Sequence, residues 1–190
     1  TSTSCVSNMT GSANININPL PTVSLAANSI DCFNSLLTAT NSGGTMATVS
    51  GTNGTDFSIS AFGTSTISSS ITLPAGYLTA ASNITVTMNI DHTGAGDLVA
   101  TLISPSCGQT VLFNRPGGSG NGNDLVNTAD YVFATSFGTT FPGSSGGEVP
   151  TGNYNASFSG LTYPCTNIAG TWTLQIQDMQ FSRGGTLRSW

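Results

Sequence analysis

The feature that most constrains the fold is an alternation of apolar and polar residues with a period of two. Residues 83–90 read NITVTMNI, and residues 171–177 read TWTLQIQ. Because successive side chains of a β-strand point to opposite faces, every second residue of such a segment lies on one face. The pattern predicts strands with one buried face, formed by Ile84, Val86, Met88 and Ile90 in one case and by Trp172, Leu174 and Ile176 in the other.

Shorter segments repeat the same alternation along the chain. They lie at residues 57–62, 67–73 and 98–102, and at Val111 with Phe113. Gly, Pro and Asn residues separate them, and no segment of the sequence has the 3.6-residue period of an amphipathic helix. Several short alternating strands with turn residues between them predict an all-β chain folded as an antiparallel β-sandwich.

The N-terminal quarter differs from the rest in composition. Residues 1–50 are of low complexity and rich in Asn, Ser and Thr, with short strands predicted at residues 13–18 (ANININ), 22–26 and 36–40. We therefore predict two regions, a β-rich linker or partial repeat over residues 1–50 and the sandwich over residues 51–190.

A short resemblance supports the partial repeat. Residues 16–32 read NINPLPTVSLAANSIDC. This run resembles the seam between tandem immunoglobulin-like or PKD-like repeats in giant bacterial surface proteins, where a strand ends in a PLP-type linker and the next module begins. The resemblance implies a partial Ig-like or PKD-like repeat, and a β-rich linker is the alternative.

The charge content narrows the classes of partner. Only 6% of the residues are charged, Lys is absent, and the formal net charge is −5. Nucleic-acid binding needs a basic patch, and anionic membranes attract basic segments, so the composition argues against both. No apolar run reaches the roughly 20 residues of a transmembrane helix, and membrane insertion is not expected.

The cysteines indicate an oxidising compartment. The chain has four, Cys5, Cys32, Cys107 and Cys165, and no CxxC spacing that would suggest zinc. We predict two disulfides and a secreted or cell-surface location. Sequence alone does not choose among the possible connectivities; we favour Cys5–Cys32 and Cys107–Cys165, which keep each bridge within one region. Without a signal peptide or initiator Met, we expect a processed protein or a fragment.

Two sequence blocks carry the most specific pattern. The first, within residues 84–106, contains His92, Thr93, Gly96, Asp97, Leu98, Leu102, Ser104 and Pro105. The second, within residues 170–190, contains Gly170, Trp172, Leu174, Asp178, Gly185, Leu187 and Trp190. In this order and spacing the blocks resemble the P domain that follows the catalytic domain in kexin- and furin-like proprotein convertases, and that also occurs in bacterial secreted and surface proteins.

The resemblance implies a jelly-roll-like sandwich without catalytic activity that folds against a protease domain and stabilises it. The chain departs from the family pattern at Cys107, which fits a disulfide to Cys165. Family members also continue beyond the final Trp with one more strand, whereas this sequence ends at Trp190. We expect the sandwich to be truncated or to receive its last strand from elsewhere.

Catalytic residues are not expected. His92 is the single histidine and follows Asp91, which superficially suits a Ser–His–Asp triad. The resemblance places this histidine in a structural turn, however. The tripeptide Gly63-Thr64-Ser65 matches the nucleophile motif of subtilisins, but the Asp and His blocks of that family do not precede it. We predict that the chain is not an enzyme.

A calcium site is the favoured chemistry. Calcium binds about six to eight oxygens in flexible geometry, and residues 114–165 form a Gly-rich, irregular stretch of a kind often ordered by a ligand. We predict that Ca²⁺ is bound by some of Asp91, Asp97, Asp124, Asp130, Glu148 and Asp178. The alternative is that these side chains cap turns through hydrogen bonds to the backbone.

The favoured function is a non-catalytic, extracellular, calcium-binding P-domain module of a larger secreted or cell-surface protein, acting in structure, adhesion or assembly. Three alternatives remain: an accessory domain of a secreted subtilisin-like protease, a filament subunit joined by strand donation from residues 13–18, and a carbohydrate-binding module. The last needs exposed aromatics, for which Tyr131, Phe141 and Tyr154 are candidates, whereas Trp172 is expected in the core. The partners expected are other domains of the chain or neighbouring subunits, including a homopolymer.

Overall fold

The computed structural model describes residues 48–118, 123–142 and 147–190, together with the backbone of two N-terminal strands. The strands in these parts of the chain are β1 (Thr22–Ala27), β2 (Leu37–Ser42), β3 (Phe57–Ile59), β4 (Ser65–Leu73), β5 (Thr85–His92), β6 (Leu98–Ile103), β7 (Gln109–Asn114), β8 (Asn123–Leu125), β9 (Tyr131–Ala134), β10 (Gly147–Val149), β11 (Gly152–Asn155), β12 (Gly170–Asp178) and β13 (Gly185–Ser189). Single 3₁₀ turns at Ala81–Asn83 and Ala95–Asp97 precede β5 and β6.

The chain divides into two compact units, residues 1–48 and residues 49–190. In the first unit, β1 and β2 form an antiparallel ladder from Thr22 opposite Ser42 to Ala27 opposite Leu37. The predicted strand at residues 13–18 lies outside the described residues. So do Cys5 and Cys32, and with them the first predicted disulfide.

The second unit is a β-sandwich of two sheets, which confirms the predicted fold class. The first sheet has the order β10-β8-β5-β13-β3, with β9 also paired to β5 and β11 paired to β9. The second sheet has the order β4-β12-β6-β7 and is antiparallel throughout. Two short pairs in the first sheet, β10 with β8 and β11 with β9, are parallel. Within the described residues, no helix is long and apolar enough to cross a membrane.

The alternating residues of the two longest predicted strands face one shared core. Val86, Met88 and Ile90 of β5 are buried, and so are Trp172, Leu174 and Ile176 of β12. The Trp172 indole nitrogen donates a hydrogen bond to the Ile168 carbonyl at 2.9 Å. Burial of the ring with its polar atom satisfied is typical of a core tryptophan, as expected from the alternation.

Cys107 and Cys165 form a disulfide across 58 residues of sequence. Cys107 lies just after β6, and Cys165 pairs through its backbone with Leu78, with hydrogen bonds of 2.8 and 2.7 Å in the two directions. The bridge therefore ties the end of β6 to the segment that leads into β12.

Residues 114–165 are more regular than their composition suggests. They contain β8, β9, β10 and β11, each of only three or four residues. Because such short strands show no measurable alternation, the sequence gives no sign of them. Their backbone hydrogen bonds come from non-local partners, as in the antiparallel register of Thr85–Met88 with Ala134–Tyr131.

Two of these short strands, β9 and β11, place three aromatic rings in the core beside Phe113 of β7 and Phe141 of a loop. This set, called the aromatic cluster below, consists of Phe113, Tyr131, Phe133, Phe141 and Tyr154, all buried. The ring centroids of Phe141 lie 4.8 Å from those of Phe113 and 4.9 Å from those of Tyr154. The expectation that Tyr131, Phe141 and Tyr154 are exposed in loops is therefore wrong. These three residues cannot line a sugar-binding groove on the surface.

Candidate functional site

The two family-like sequence blocks meet in space at one end of the sandwich. β5 ends at His92 and β12 ends at Asp178, and the two strands belong to different sheets. The His92 Nε2 atom lies 3.3 Å from Asp178 Oδ2, and neither side chain is exposed to solvent. The other ring nitrogen, Nδ1, lies 3.0 Å from the carbonyl oxygen and 3.1 Å from the amide nitrogen of Gly94. Both nitrogens of the imidazole are therefore occupied by contacts within the fold.

An ion pair lies beside the contact between His92 and Asp178. Arg183 Nη1 lies 3.2 Å from Asp97 Oδ2, with the Arg183 side chain 29% exposed and the Asp97 side chain 1% exposed. The backbone of Asp97 is also engaged, because its carbonyl accepts a hydrogen bond from the Met179 amide at 2.9 Å. Asp97 thus holds the turn after β12 with both its side chain and its main chain.

We call His92, Asp97, Asp178 and Arg183 the polar cluster. It joins the turn between β5 and β6 to the turn between β12 and β13, supported by a hydrogen bond of 3.2 Å from the Thr93 amide to the Gly184 carbonyl. Breaking a buried ion pair by removing one partner costs about 3–5 kcal/mol, since the remaining charge has lost its compensation. The polar cluster is therefore a strong constraint on how the two turns sit together.

Two glycines allow the turns to approach this closely. A Cβ atom at Gly185 would lie 1.8 Å from the Asp91 carbonyl oxygen, which is backbone and cannot rotate away. A Cβ at Gly94 would lie 2.5 Å from Cδ of Arg183. Glycine at both positions is explained by steric contact alone.

The same corner contains a serine, but the geometry does not form a catalytic triad. Ser65 lies opposite Asp178 in the β4–β12 register. Its Oγ atom is buried and has no hydrogen-bond partner among the described residues. A triad requires the imidazole between the serine and the acid, whereas here both imidazole nitrogens face Asp178 and Gly94. The buried position of His92 agrees with the structural role predicted for it.

The six acids predicted to bind calcium lie in separate places. Asp97 and Asp178 belong to the polar cluster, Asp91 lies 2.8 Å from Arg188, and Asp130 accepts a hydrogen bond from Asn89 at 3.0 Å. Nowhere in the described parts of the chain do three or more His, Cys, Asp or Glu side chains form a group that could hold a metal ion.

Asp124 and Glu148 differ from the other predicted ligands because they lie next to each other without a basic partner within the described ranges. They lie opposite each other in the parallel register of β8 and β10. Neither has an ion-pair partner among the described residues. Like charges directly opposite one another on neighbouring strands are destabilising, so these two carboxylates repel each other across the β8–β10 pair.

Tyr131 forms the polar contact of the aromatic cluster. Its hydroxyl accepts a hydrogen bond from the Val126 amide at 2.9 Å and donates one to the Val149 carbonyl at 3.0 Å. Burial raises the pKa of Tyr131; the Val126 hydrogen bond lowers it in part, and the charges of Tyr154 and Glu148 add to the rise. The hydroxyl thus holds the ends of β8 and β10 in place as a neutral group.

Arg183 is the residue of the polar cluster that sequence reasoning missed. It lies in a Gly- and Ser-containing turn, where an arginine is normally solvated, and its partner is 86 residues away in the sequence. The charge count could have indicated it: the chain has only three basic side chains and eight acidic ones, so each arginine is a candidate partner for a buried acid. Arg115 also contacts this region, since its Nε atom donates a hydrogen bond to the Gly96 carbonyl at 3.1 Å.

These features define a class: an all-β sandwich module in which a cluster of His92, Asp97, Asp178 and Arg183 joins the two sheets at one end. The sequence model of the proprotein convertase P-domain matches residues 81–190, more than half of the chain. The chain therefore belongs to the proprotein convertase P-domain family. A comparison with curated proteins finds no match.

Proposed function

We propose that the chain is a non-catalytic structural module of a larger secreted or cell-surface protein, which it serves by folding stably against its other domains or neighbouring subunits. The observation that carries this proposal is the polar cluster. Its histidine, its two aspartates and its arginine have the chemistry of an active site, yet they contact one another and the backbone between two turns. Membership of the P-domain family supports the same role.

Labelling with a serine-directed fluorophosphonate tests the non-catalytic part of the proposal. An unactivated serine does not react, because nucleophilic attack needs a general base within hydrogen-bond reach. We expect the fluorophosphonate to label neither the wild-type chain nor the Ser65→Ala and His92→Asn variants. Covalent labelling at Ser65 that depends on His92 would overturn the proposal.

The extracellular location rests on the Cys107–Cys165 disulfide and the low charge of the chain. Disulfides persist in oxidising compartments and are rare in a reducing cytosol. We expect mass spectrometry of protein from the native source to show this bridge oxidised. Two free thiols at these positions would contradict a secreted location.

Calcium binding is proposed for Asp124 and Glu148, which face the same side of the first sheet. A bound cation would relieve their mutual repulsion and take further oxygens from backbone and water. We expect calcium to raise the melting temperature and an Asp124→Asn/Glu148→Gln variant to lose that rise. An Asp56→Asn variant, altered at an exposed acid elsewhere, serves as the control. A melting temperature unchanged by calcium or chelator would contradict the site.

Assembly by strand donation is a second candidate function, favoured by the edge of β4. This strand has nine residues, none of them charged, and pairs with β12 on one side. No other described strand pairs with its opposite edge, and exposed edges of this kind accept added strands. We expect electron microscopy to show filaments that disappear when residues 1–20 are deleted. Filaments that persist after the deletion would exclude residues 13–18 as the donor.

A further inference from the structure

Asn53 joins three segments of the sandwich through hydrogen bonds of both its main chain and its side chain. Its amide donates to the Trp190 carbonyl at 2.9 Å, and its carbonyl accepts from the Trp190 amide at 3.0 Å. Its side-chain nitrogen Nδ2 donates to the Ser70 carbonyl of β4 at 3.0 Å, and its oxygen Oδ1 accepts from the Thr55 amide at 2.9 Å. Asn53 therefore fastens the segment before β3 to β4 and to the residue that follows β13.

The Ser70 carbonyl belongs to the outer edge of β4. Ser70 lies opposite Thr173 of β12, and the side-chain oxygens of the two residues are 3.1 Å apart. So close an approach is typical of the antiparallel pair whose main-chain groups point away from the partner strand. The Asn53 side chain thus satisfies a main-chain acceptor on the side of β4 with which no other described strand pairs.

The residue after Asn53 is a glycine, and an asparagine followed by glycine is prone to deamidation. The Gly54 nitrogen forms a bond to Asn53 Cγ and closes a five-membered succinimide ring. The bond from Cγ to Nδ2 breaks, and Nδ2 leaves as ammonia with the proton of the Gly54 amide. Water then opens the ring to aspartate or isoaspartate. Because the attack is intramolecular and no Cβ atom crowds the glycine nitrogen, water is the only co-reactant needed.

The local geometry favours this reaction at Asn53. The Gly54 amide donates no hydrogen bond to any described residue, so its nitrogen is available for attack. The Thr55 amide already points at Oδ1, the oxygen on which negative charge develops when Cγ is attacked. A main-chain N–H placed in this way stabilises the developing charge, as in an oxyanion hole.

Asn155 shows the opposite arrangement. Its Nδ2 atom donates to the carbonyls of Thr135 at 3.2 Å and Phe137 at 2.8 Å. The amide of the next residue, Ala156, is also engaged, since it donates to the Ala134 carbonyl at 3.2 Å. Both the leaving nitrogen and the attacking nitrogen are therefore held, and Asn155 is an internal reference at which deamidation in the folded chain is not expected.

We propose that Asn53 is a modification site of this chain, at which deamidation through Gly54 releases the segments that the asparagine fastens. Conversion of the amide to a carboxylate removes the donor to Ser70 and leaves that carbonyl without its partner. Isoaspartate also lengthens the main chain by one carbon between residues 53 and 54, so the pair with Trp190 and the turn to Thr55 are no longer both kept. The outer edge of β4 and the residue after β13 are then released together.

Peptide mapping by mass spectrometry of the folded 190-residue chain, incubated in mildly alkaline buffer, tests the proposal. We expect a mass increase of about 1 Da at Asn53, since OH replaces NH2, faster at higher pH and without conversion at Asn155. The matched control, Gly54→Ala, meets no atom within 4 Å of the added Cβ. It should convert about tenfold more slowly, because the methyl group crowds the attacking nitrogen. Hydrogen exchange at the Trp190 amide should be faster in Asn53→Asp than in the wild type.

Three results would overturn the proposal. Conversion of Asn53 only after unfolding in urea would show that the fold protects the residue. Equal rates in the wild type and in Gly54→Ala would exclude attack by the Gly54 nitrogen. An Asn53→Asp variant with the wild-type melting temperature and wild-type exchange at Trp190 would show that the modification releases neither segment. None of these results bears on the non-catalytic role, which the fluorophosphonate experiment tests separately.

Discussion

The two ends of the sandwich are held together by different chemistry. At one end the polar cluster joins two turns through the Asp97–Arg183 ion pair and the His92–Asp178 contact, both between residues far apart in sequence. At the other end the Cys107–Cys165 disulfide joins the segment after β6 to the segment before β12. The covalent bond acts mainly by restricting the unfolded chain, whereas the Asp97–Arg183 ion pair exists only in the folded chain, where loss of one partner leaves a buried charge uncompensated. The disulfide end of the sandwich therefore depends on oxidation of Cys107 and Cys165, and the polar-cluster end depends on correct packing.

Removal of the disulfide should have the largest effect. The bridge closes a loop of 58 residues, for which loop-closure entropy gives about 4 kcal/mol of stabilisation. We expect a Cys107→Ala/Cys165→Ala variant to lose roughly this free energy of unfolding in a urea titration. A loss below about 1 kcal/mol would show that packing, and not the disulfide, holds this end of the sandwich together.

Arg183→Met should have the next largest effect, about 3 kcal/mol, because it leaves the Asp97 carboxylate buried without its ion pair. The matched control is Arg188→Met, which removes an arginine paired with Asp91 and Asp56 on the surface, where such pairs contribute about 0–1 kcal/mol. Urea titration of both variants gives the comparison. Equal losses would mean that the polar cluster is no more constraining than an ordinary surface pair.

Tyr131→Phe is expected to cost about 2 kcal/mol, since it leaves the Val126 amide and the Val149 carbonyl without their shared partner. A Tyr77→Phe variant, which removes an exposed hydroxyl, should change stability little. Thermal unfolding monitored by circular dichroism measures both. A neutral Tyr131→Phe variant would show that water replaces the hydroxyl at these two groups.

The smallest effect should be a loss of stability in alkali. Burial raises the pKa of Tyr131 in the folded chain above the ordinary value of 10.0. The stabilisation is fully present below pH 10 and decreases above it, because the unfolded chain ionises first. Urea titrations at about pH 8 and about pH 11 should show a decrease that is smaller in Tyr131→Phe. Burial also raises the pKa values of Tyr154 and Tyr163. These two residues account for the loss of stability in alkali that remains in the Tyr131→Phe variant.

The sequence predicted the parts of the fold that repeat a pattern over many residues. β5 and β12 alternate over eight and nine residues, and burial of every second side chain is then a direct consequence of strand geometry. The short strands β8 to β11 have no such length. Their partners come from distant segments, so the inward position of Tyr131 and Tyr154 could not be derived from local composition.

Three of the four residues of the polar cluster were predictable from the sequence, but Arg183 and the contacts among the four residues were not. His92, Asp97 and Asp178 were singled out from the two sequence blocks, because charged residues are rare in this chain. Their pairing depends on two strands from different sheets ending at the same place, which no local pattern encodes. The sequence predicts Asp97 as a calcium ligand and gives no sign of Arg183, which the structure places beside the Asp97 carboxylate.

A double-mutant cycle between Asp97 and Arg183 measures whether this ion pair holds the two turns together. The free energies of unfolding of Asp97→Asn, Arg183→Met and the double variant give the coupling between the two side chains. The structural role of the polar cluster predicts a coupling of about 2 kcal/mol or more, against less than about 1 kcal/mol for the same cycle between Asp56 and Arg188. Additive effects at Asp97 and Arg183 would contradict the claim that this ion pair holds the two turns together.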